Sequence, residues 1–132
     1  MVPEGFRDKT AELVPIEVGK FRLNALSHQD QIYIPTNEGL RIIGVDIRWI
    51  TSQSRSGRRC PLTKRGFSFE EKLLCCPIDD SGRFFFAGSY SWSDWLIVWE
   101  YFAAHGNRKA ASILKALAEY GLTSFLSSVR SR

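Results

Sequence analysis

The stretch Thr36–Arg55, TNEGLRIIGVDIRWITSQSR, constrains the fold of this chain more than any other part of it. Pro35 precedes it and favours an extended approach, and Thr36 is a candidate helix N-cap. A short apolar set then predicts a helix: Leu40, Ile42 and Ile43. Gly44 ends that helix, because glycine readily adopts the backbone conformation of a tight turn. The stretch therefore predicts a helix followed by a sharp turn.

A second helix is predicted directly after the turn. Val45 can pack into the core at the corner, Asp46 is a candidate N-cap, and Trp49 and Ile50 face inward at helical spacing. The side chains expected to face DNA bases are Arg48, Thr51, Ser52 and either Gln53 or Arg55. This arrangement is that of a helix-turn-helix motif. The alternative is two ordinary short surface helices, since the inward position four residues before the turn is usually small and here is Leu40, beside Gly39.

Positive charge is concentrated in one segment. The net charge is +4 with a pI near 9.1, yet the residues from Ile47 to Phe69 include no acid. The string at positions 56–66 lacks hydrophobic periodicity and predicts an exposed basic loop that buries nothing. The basic side chains expected to neutralise phosphates are Arg58, Arg59, Lys64 and Arg65. The segment therefore favours an anionic partner, with double-stranded DNA as the expected one.

The cysteines predict neither a disulfide framework nor a metal site. They are three in number, Cys60, Cys75 and Cys76, and no C-x-x-C spacing or histidine partner accompanies them. No apolar stretch predicts a signal segment or a membrane span. We therefore expect a cytoplasmic protein without a metal or other cofactor, and no membrane partner.

The remaining chain predicts an α+β domain with a small antiparallel sheet, a helix-turn-helix-like pair and a C-terminal helical hairpin. An N-terminal arm is expected over 1–26, with a strand from Ile16 to Leu23, and one domain over 27–132. Within that domain we expect the helix-turn-helix-like pair at 36–55, the basic loop at 56–66, a β-hairpin at 67–88 and a helix pair at 91–126. Ser91 and Asn107 are the candidate N-caps of the two final helices.

The final helices have an apolar stripe that has two interpretations. Such a stripe is usually core, but it can also be a dimer seam when a small chain has more apolar surface than one sheet covers. On the second interpretation, a homo-oligomer would form through Trp95, Trp99, Phe102, Leu117 and Phe125. A two-fold dimer would match a palindromic DNA site.

Two segments carry a family resemblance. QIYIPTNEGLRIIGVDIRW resembles the amino-terminal domains of bacteriophage antirepressors of the BRO-N and KilA-N kind, in which an extended Y-V-P precedes a short helix, a glycine turn and a basic helix. WEYFAAHGNRKAASILKALA is similar to the end of small phage-like regulatory proteins. The resemblance extends from Ile32 to Leu122. It implies transcription regulation, by DNA binding or by contact with a repressor protein, rather than catalysis.

Two other functions remain open from the residues. A Mg²⁺-dependent endonuclease of the restriction type needs an acid at a strand end and an acid-x-lysine on a neighbouring strand, and Asp46, Glu70 and Lys72 fit that pattern if Glu70 and Lys72 share one face of a strand. A protein-only inhibitor or adaptor would instead contact its partner through the aromatic surface. Only the endonuclease would need a metal ion.

Overall fold

The computed structural model describes residues 4–50, 52, 61–77 and 83–130, and of residues 121–130 it describes the backbone. The elements in chain order are a 3-10 helix (Glu4–Lys9), β1 (Glu12–Val18), β2 (Phe21–His28), β3 (Gln31–Pro35), α1 (Thr36–Arg41), α2 (Pro61–Lys64), β4 (Lys72–Pro77), β5 (Phe84–Ser91), α3 (Trp92–Ala104) and α4 (Arg108–Arg130). The five strands form one antiparallel sheet in the order β1-β2-β3-β5-β4. The predicted α+β class, with its antiparallel sheet and C-terminal helices, is confirmed.

The N-terminal region is a β-hairpin rather than an arm with one strand. β1 and β2 pair from Glu12↔Ser27 to Val18↔Phe21. Gly19, with φ of 58°, reverses the chain between them. The segment predicted as one strand from Ile16 to Leu23 therefore belongs to two strands, because Gly19 reverses the chain. β2 also runs on through position 26 into the sheet, so nothing in the described structure separates 1–26 from the rest.

The sheet forks where β3 ends. β3 pairs with β2 only at Leu26–His28 and with β5 only at Ser89–Ser91. After Pro35 the chain leaves the sheet as α1, so the earlier parts of β2 and β5 have no strand between them. Two side chains of α1 bond to the backbone at this fork. Glu38 accepts a hydrogen bond from the Asn24 amide at 3.2 Å. The Thr36 hydroxyl shares its one proton between the Gly88 carbonyl oxygen at 3.0 Å and the Glu71 carboxylate at 2.6 Å.

The predicted β-hairpin is present but begins later than expected. β4 pairs with β5 from Lys72↔Ser89 to Pro77↔Phe84. Residues 67–71 lie outside the strand, and Phe69 has a φ of 58° that breaks the extended run. The Ser68 amide and hydroxyl donate to the carboxylate of Asp94 at 3.0 and 2.6 Å, which holds this segment against α3. Residues 78–82, between the two strands, lie outside the described residues.

The predicted basic loop contains a short helix. Residues 61–64 form α2, and Leu62 is fully buried. The expectation that 56–66 buries nothing is therefore wrong at Leu62, because one apolar side chain anchors the segment without any periodic pattern around it. Residues 56–60 lie outside the described part of the chain.

The caps of the final helices are those that the sequence predicts. The Ser91 hydroxyl accepts the Asp94 amide at 3.2 Å, and the Asn107 side-chain oxygen accepts the Ala110 amide at 2.9 Å. Gly106, with φ of 92°, lies between the helices. Thr36, in contrast, is not an N-cap: Pro35 holds that position and no side-chain cap bond is present. The Thr36 hydroxyl is directed to the sheet instead.

The main core lies between one face of the sheet and the helices α1, α2, α3 and α4. Its largest fully buried side chains are Trp95 and Trp99. These two residues therefore cannot form the predicted self-association surface, because they are buried in the core of the chain itself. Phe102 and Leu117 are half-buried, and the side chain of Phe125 lies outside the described part. In the described ranges no helix combines the length and apolar character needed to cross a bilayer.

Candidate nucleic-acid interface

The chain makes a tight turn after α1. The Gly44 amide donates to the Arg41 carbonyl at 3.0 Å and the Val45 amide donates to the Leu40 carbonyl at 3.0 Å. Gly44 has a φ of 75°, where a side chain would be strained. Val45 is half-buried at the corner and Ile43 is buried. The chain thus reverses tightly while α1 stays on the core.

Two indole groups and one amide anchor this corner. Trp95 donates from Nε1 to the carbonyl of Ile34 at 2.9 Å, and Trp99 donates to the carbonyl of Gly39 at 3.0 Å. The side chain of Asn107 donates to the carbonyl of Ile43 at 3.0 Å. Each bond satisfies a backbone oxygen near the end of β3 or in the α1 region, and the two indole bonds are buried. The corner is therefore fixed by α3 and by the start of α4.

Asp46 precedes the second helix of the predicted pair, whose described helical residues are 48–50 and 52. The Asp46 side chain accepts the Arg48 amide at 2.8 Å, which is the bond of an N-terminal cap. The Arg48 guanidinium also bonds to this carboxylate, and its side chain remains 88% exposed. Because Arg48 donates these hydrogen bonds, the pKa of Asp46 lies below its usual range. Arg48 therefore points into solvent from a capped helix.

Aromatic side chains support the inward face of this helix. The Trp49 ring packs on Phe102 and Tyr101 at centroid distances of 4.6 and 5.7 Å. The Arg65 guanidinium lies over the same Tyr101 ring at 5.6 Å. Tyr101 thus contacts both Trp49, in the helix that follows Gly44, and Arg65, the residue after α2.

Lys109 is a basic residue of this surface that the sequence did not assign to it. A Cβ placed on Gly44 would lie 3.8 Å from Lys109 Nζ, so the ammonium group is beside the turn. The first turn of α4 has no acidic residue, and the positive end of the helix dipole adds to the charge of its side chains. Nothing local in the sequence indicates that α4 starts next to Gly44.

The predicted DNA-contacting residues divide into two groups. Four of them are described and exposed: Arg48, Ser52, Lys64 and Arg65. The others lie outside the described residues: Thr51, Gln53, Arg55, Arg58 and Arg59. Arg41, which was not predicted, is also exposed, but Glu38 pairs with it at 3.1 Å. Arg65 and the neighbour of Arg48, Trp49, both pack on Tyr101.

The residues of the endonuclease alternative have separate partners. Asp46 pairs with Arg48, the Glu70 amide donates to the Ser68 hydroxyl, and Lys72 Nζ donates to the Tyr33 hydroxyl at 3.3 Å. The expectation that Glu70 and Lys72 share a strand face is wrong, because β4 begins at Lys72. In the ranges that the structure describes, no three His, Cys, Asp or Glu side chains are grouped to hold a metal ion.

Comparisons of the chain with family models, with curated proteins and with solved structures found no match. The resemblance to phage antirepressor domains therefore stays a prediction from short motifs.

Proposed function

We propose that the protein binds double-stranded DNA through the surface formed by Arg48, Lys64, Arg65 and Lys109, here called the basic surface. The observation that supports this most is the exposure of Arg48 on a capped helix whose inward-facing Trp49 packs on Phe102 and Tyr101. A helix held in this way keeps its outward side chains in one orientation, which base recognition in a major groove requires.

The four side chains would have two roles. Arg48 would bind a guanine edge with its guanidinium. Its hydrogen bonds to the Asp46 carboxylate must break first. Lys64, Arg65 and Lys109 would contact phosphates and so set the position of the helix on the duplex. Arg58 and Arg59 are expected to add phosphate contacts on sequence grounds. Binding of this kind would suit a cytoplasmic transcription regulator of phage-like type, as would a homo-oligomer on a two-fold site.

The test is fluorescence anisotropy of a labelled random-sequence duplex at several salt concentrations. The affinity of the wild-type chain should fall steeply as salt rises, because bound counterions are released from the DNA. Lys109→Ala and the pair Arg58→Ala with Arg59→Ala should each weaken binding, and each lost phosphate contact should reduce the salt slope by about one. Arg48→Ala should weaken binding to a selected site by about tenfold or more.

Two variants control for loss of charge alone. Arg22 is exposed and pairs with Glu17 at 2.8 Å, much as Arg48 pairs with Asp46, but it lies on the N-terminal hairpin. Lys115 is exposed on α4 beside Lys20 and Phe21. Arg22→Ala and Lys115→Ala should leave DNA affinity nearly unchanged. Equal losses in these controls and in Arg48→Ala or Lys109→Ala would contradict the basic surface as the site.

The same assay separates the other functions. Cleavage of supercoiled plasmid only with Mg²⁺, lost in Glu70→Ala, would replace the proposal with the endonuclease. Absence of any salt-dependent DNA binding would leave the adaptor that contacts a repressor protein.

A further inference from the structure

A cleft opens at the fork of the sheet, on the side of α1 that faces the strands. Its lining comes from β1, β2, the end of β3, the start of α1, Ile47, the residue that precedes β4, and β5. The volume is about 610 Å³, which is within the range of protein binding sites. It exists because β3 ends at Pro35 while β2 and β5 continue past it.

Exposed apolar side chains surround the cleft. Four of the large apolar residues that are exposed in the described structure line it: Leu13, Ile47, Phe85 and Phe86. They come from β1, from the residue before the second helix and from β5, where Phe85 and Phe86 are neighbours and so point to opposite faces of the sheet. A group of exposed apolar side chains of this kind is typical of an interaction site.

The charged residues that line the cleft are acidic. They are Glu71 and Glu38, of which Glu38 already pairs with Arg41 at 3.1 Å, and among the described lining residues there is no lysine or arginine. This is the opposite of the chain as a whole, which has a net charge of +4. The cleft is therefore complementary to a ligand that is both apolar and cationic.

Glu71 is held in place within the cleft. One of its carboxylate oxygens accepts a hydrogen bond from Thr36, which is buried, at 2.6 Å. Gly88 leaves the room for this, since a Cβ there would lie 2.7 Å from the Glu71 carboxyl carbon. The carboxylate is thus oriented before any ligand arrives, which lowers the cost of binding a cation.

We propose that the cleft binds an extended segment of a partner protein in which an arginine or lysine lies next to apolar side chains. The cation would pair with Glu71, and the apolar side chains would cover Leu13, Ile47 and Phe85. A protein segment suits the cleft because its apolar residues lie on three separate elements around an open mouth. This site shares no residue with the basic surface, so it does not depend on the proposed DNA binding.

The test uses synthetic fluorescein-labelled peptides of alternating valine and arginine. In the matched control peptide each arginine is replaced with citrulline, which has nearly the same shape and no charge. Anisotropy with the full chain should show saturable binding of the arginine peptide. The citrulline peptide should bind at least about tenfold more weakly. Glu71→Gln should reduce the difference between the two peptides, since the amide still occupies the space beside Gly88.

Variants of the apolar residues locate the site. Phe85→Ser and Leu13→Ser change exposed positions and should weaken the arginine peptide about tenfold. Tyr120→Ser, at a residue that is 65% exposed on α4 and outside this cleft, is the control and should bind normally. Circular dichroism of each variant shows that it is folded, and Arg48→Ala should bind the peptide as the wild type does.

Three outcomes would overturn the proposal. These are equal affinity for both peptides, equal affinity of Glu71→Gln and wild type for the arginine peptide, and binding that Phe85→Ser does not weaken. Shifts of cleft resonances by phenethylammonium, without any peptide binding, would also overturn it and assign the cleft to a small organic cation. Loss of DNA binding in Arg48→Ala with peptide binding intact would show that the two sites are separate.

Discussion

The indole Nε1 of Trp99 donates a hydrogen bond to the carbonyl oxygen of Gly39 at 3.0 Å, across 60 positions of sequence. Both groups are buried. The last carbonyls of a helix have no partner within it, and α1 is six residues long. Trp99 on α3 therefore supplies the hydrogen-bond donor for the Gly39 carbonyl that α1 itself does not provide. The same contact places the helix-turn-helix-like corner on the core, so the stability of the corner depends on α3.

Gly39→Ala should destabilise the protein strongly. A Cβ at Gly39 would lie 2.5 Å from three atoms of the Trp95 ring, which is closer than a real contact allows. Because Trp95 is fully buried, α1 must shift, at a cost of about 1–3 kcal/mol. The measurement is urea unfolding followed by circular dichroism. Gly5→Ala is the control, since a Cβ at Gly5 would meet nothing within 4 Å. Similar midpoints for both variants would contradict this packing.

Substitutions should separate the two roles of Asn107. Its side-chain oxygen caps α4 at Ala110, and its amide nitrogen donates to the Ile43 carbonyl. Asn107→Ala loses both bonds, and we expect a loss of about 1–2 kcal/mol from the cap alone. Asn107→Asp keeps the cap and loses the donor, so it should be more stable than Asn107→Ala. Amide hydrogen exchange at residues 43–45 should rise equally in both variants if the Ile43 bond holds the turn.

The stability of the protein should fall at high pH because of Tyr90. Burial, and then the negative charges of Glu71 and Asp94, raise the pKa of Tyr90 to about 12. The folded pKa is above the unfolded value of about 10, so folding favours the protonated phenol. This contribution is complete below pH about 10 and is lost as the pH rises from about 10 toward 12.

Tyr90→Phe tests this pH dependence. Lysines also titrate in that range, so the informative quantity is the difference between wild type and Tyr90→Phe in the free energy of unfolding. This difference should change between pH 10 and pH about 12 and be constant below. A constant difference throughout would show that Tyr90 ionises freely in the folded state.

The thiols of Cys75 and Cys76 should react slowly in the folded protein. Both are almost fully buried. Burial, and then the neighbouring Cys75, raises the pKa of the Cys76 thiol, so little reactive thiolate is present at neutral pH. In a Cys60→Ser variant, modification by a disulfide reagent should be slow until urea is added. Rapid release of two equivalents without denaturant would contradict this burial.

Local patterns were sufficient for the elements whose signals lie within a few residues. Ser91 and Asn107 cap helices through amides three positions ahead, and Gly44 makes a turn with its immediate neighbours. Such bonds depend on the chain nearby, so they can be predicted from sequence. The strand from Ile16 to Leu23 was predicted wrongly because the local pattern around Gly19 is ambiguous. A glycine between apolar residues can make a bulge or reverse the chain, and only pairing with the rest of the sheet decides between them.

The sequence alone determined the α+β class, the helix-turn-helix-like order around Gly44 and the run of basic residues, because composition, periodicity and capping are local properties. The tertiary structure decided which side chains meet. It buried Trp95 and Trp99, placed Lys109 beside Gly44 and Arg65 on Tyr101, and opened an acidic and apolar cleft next to Glu71. These relationships join residues that are far apart in sequence, and they follow from how the helices pack on the forked sheet.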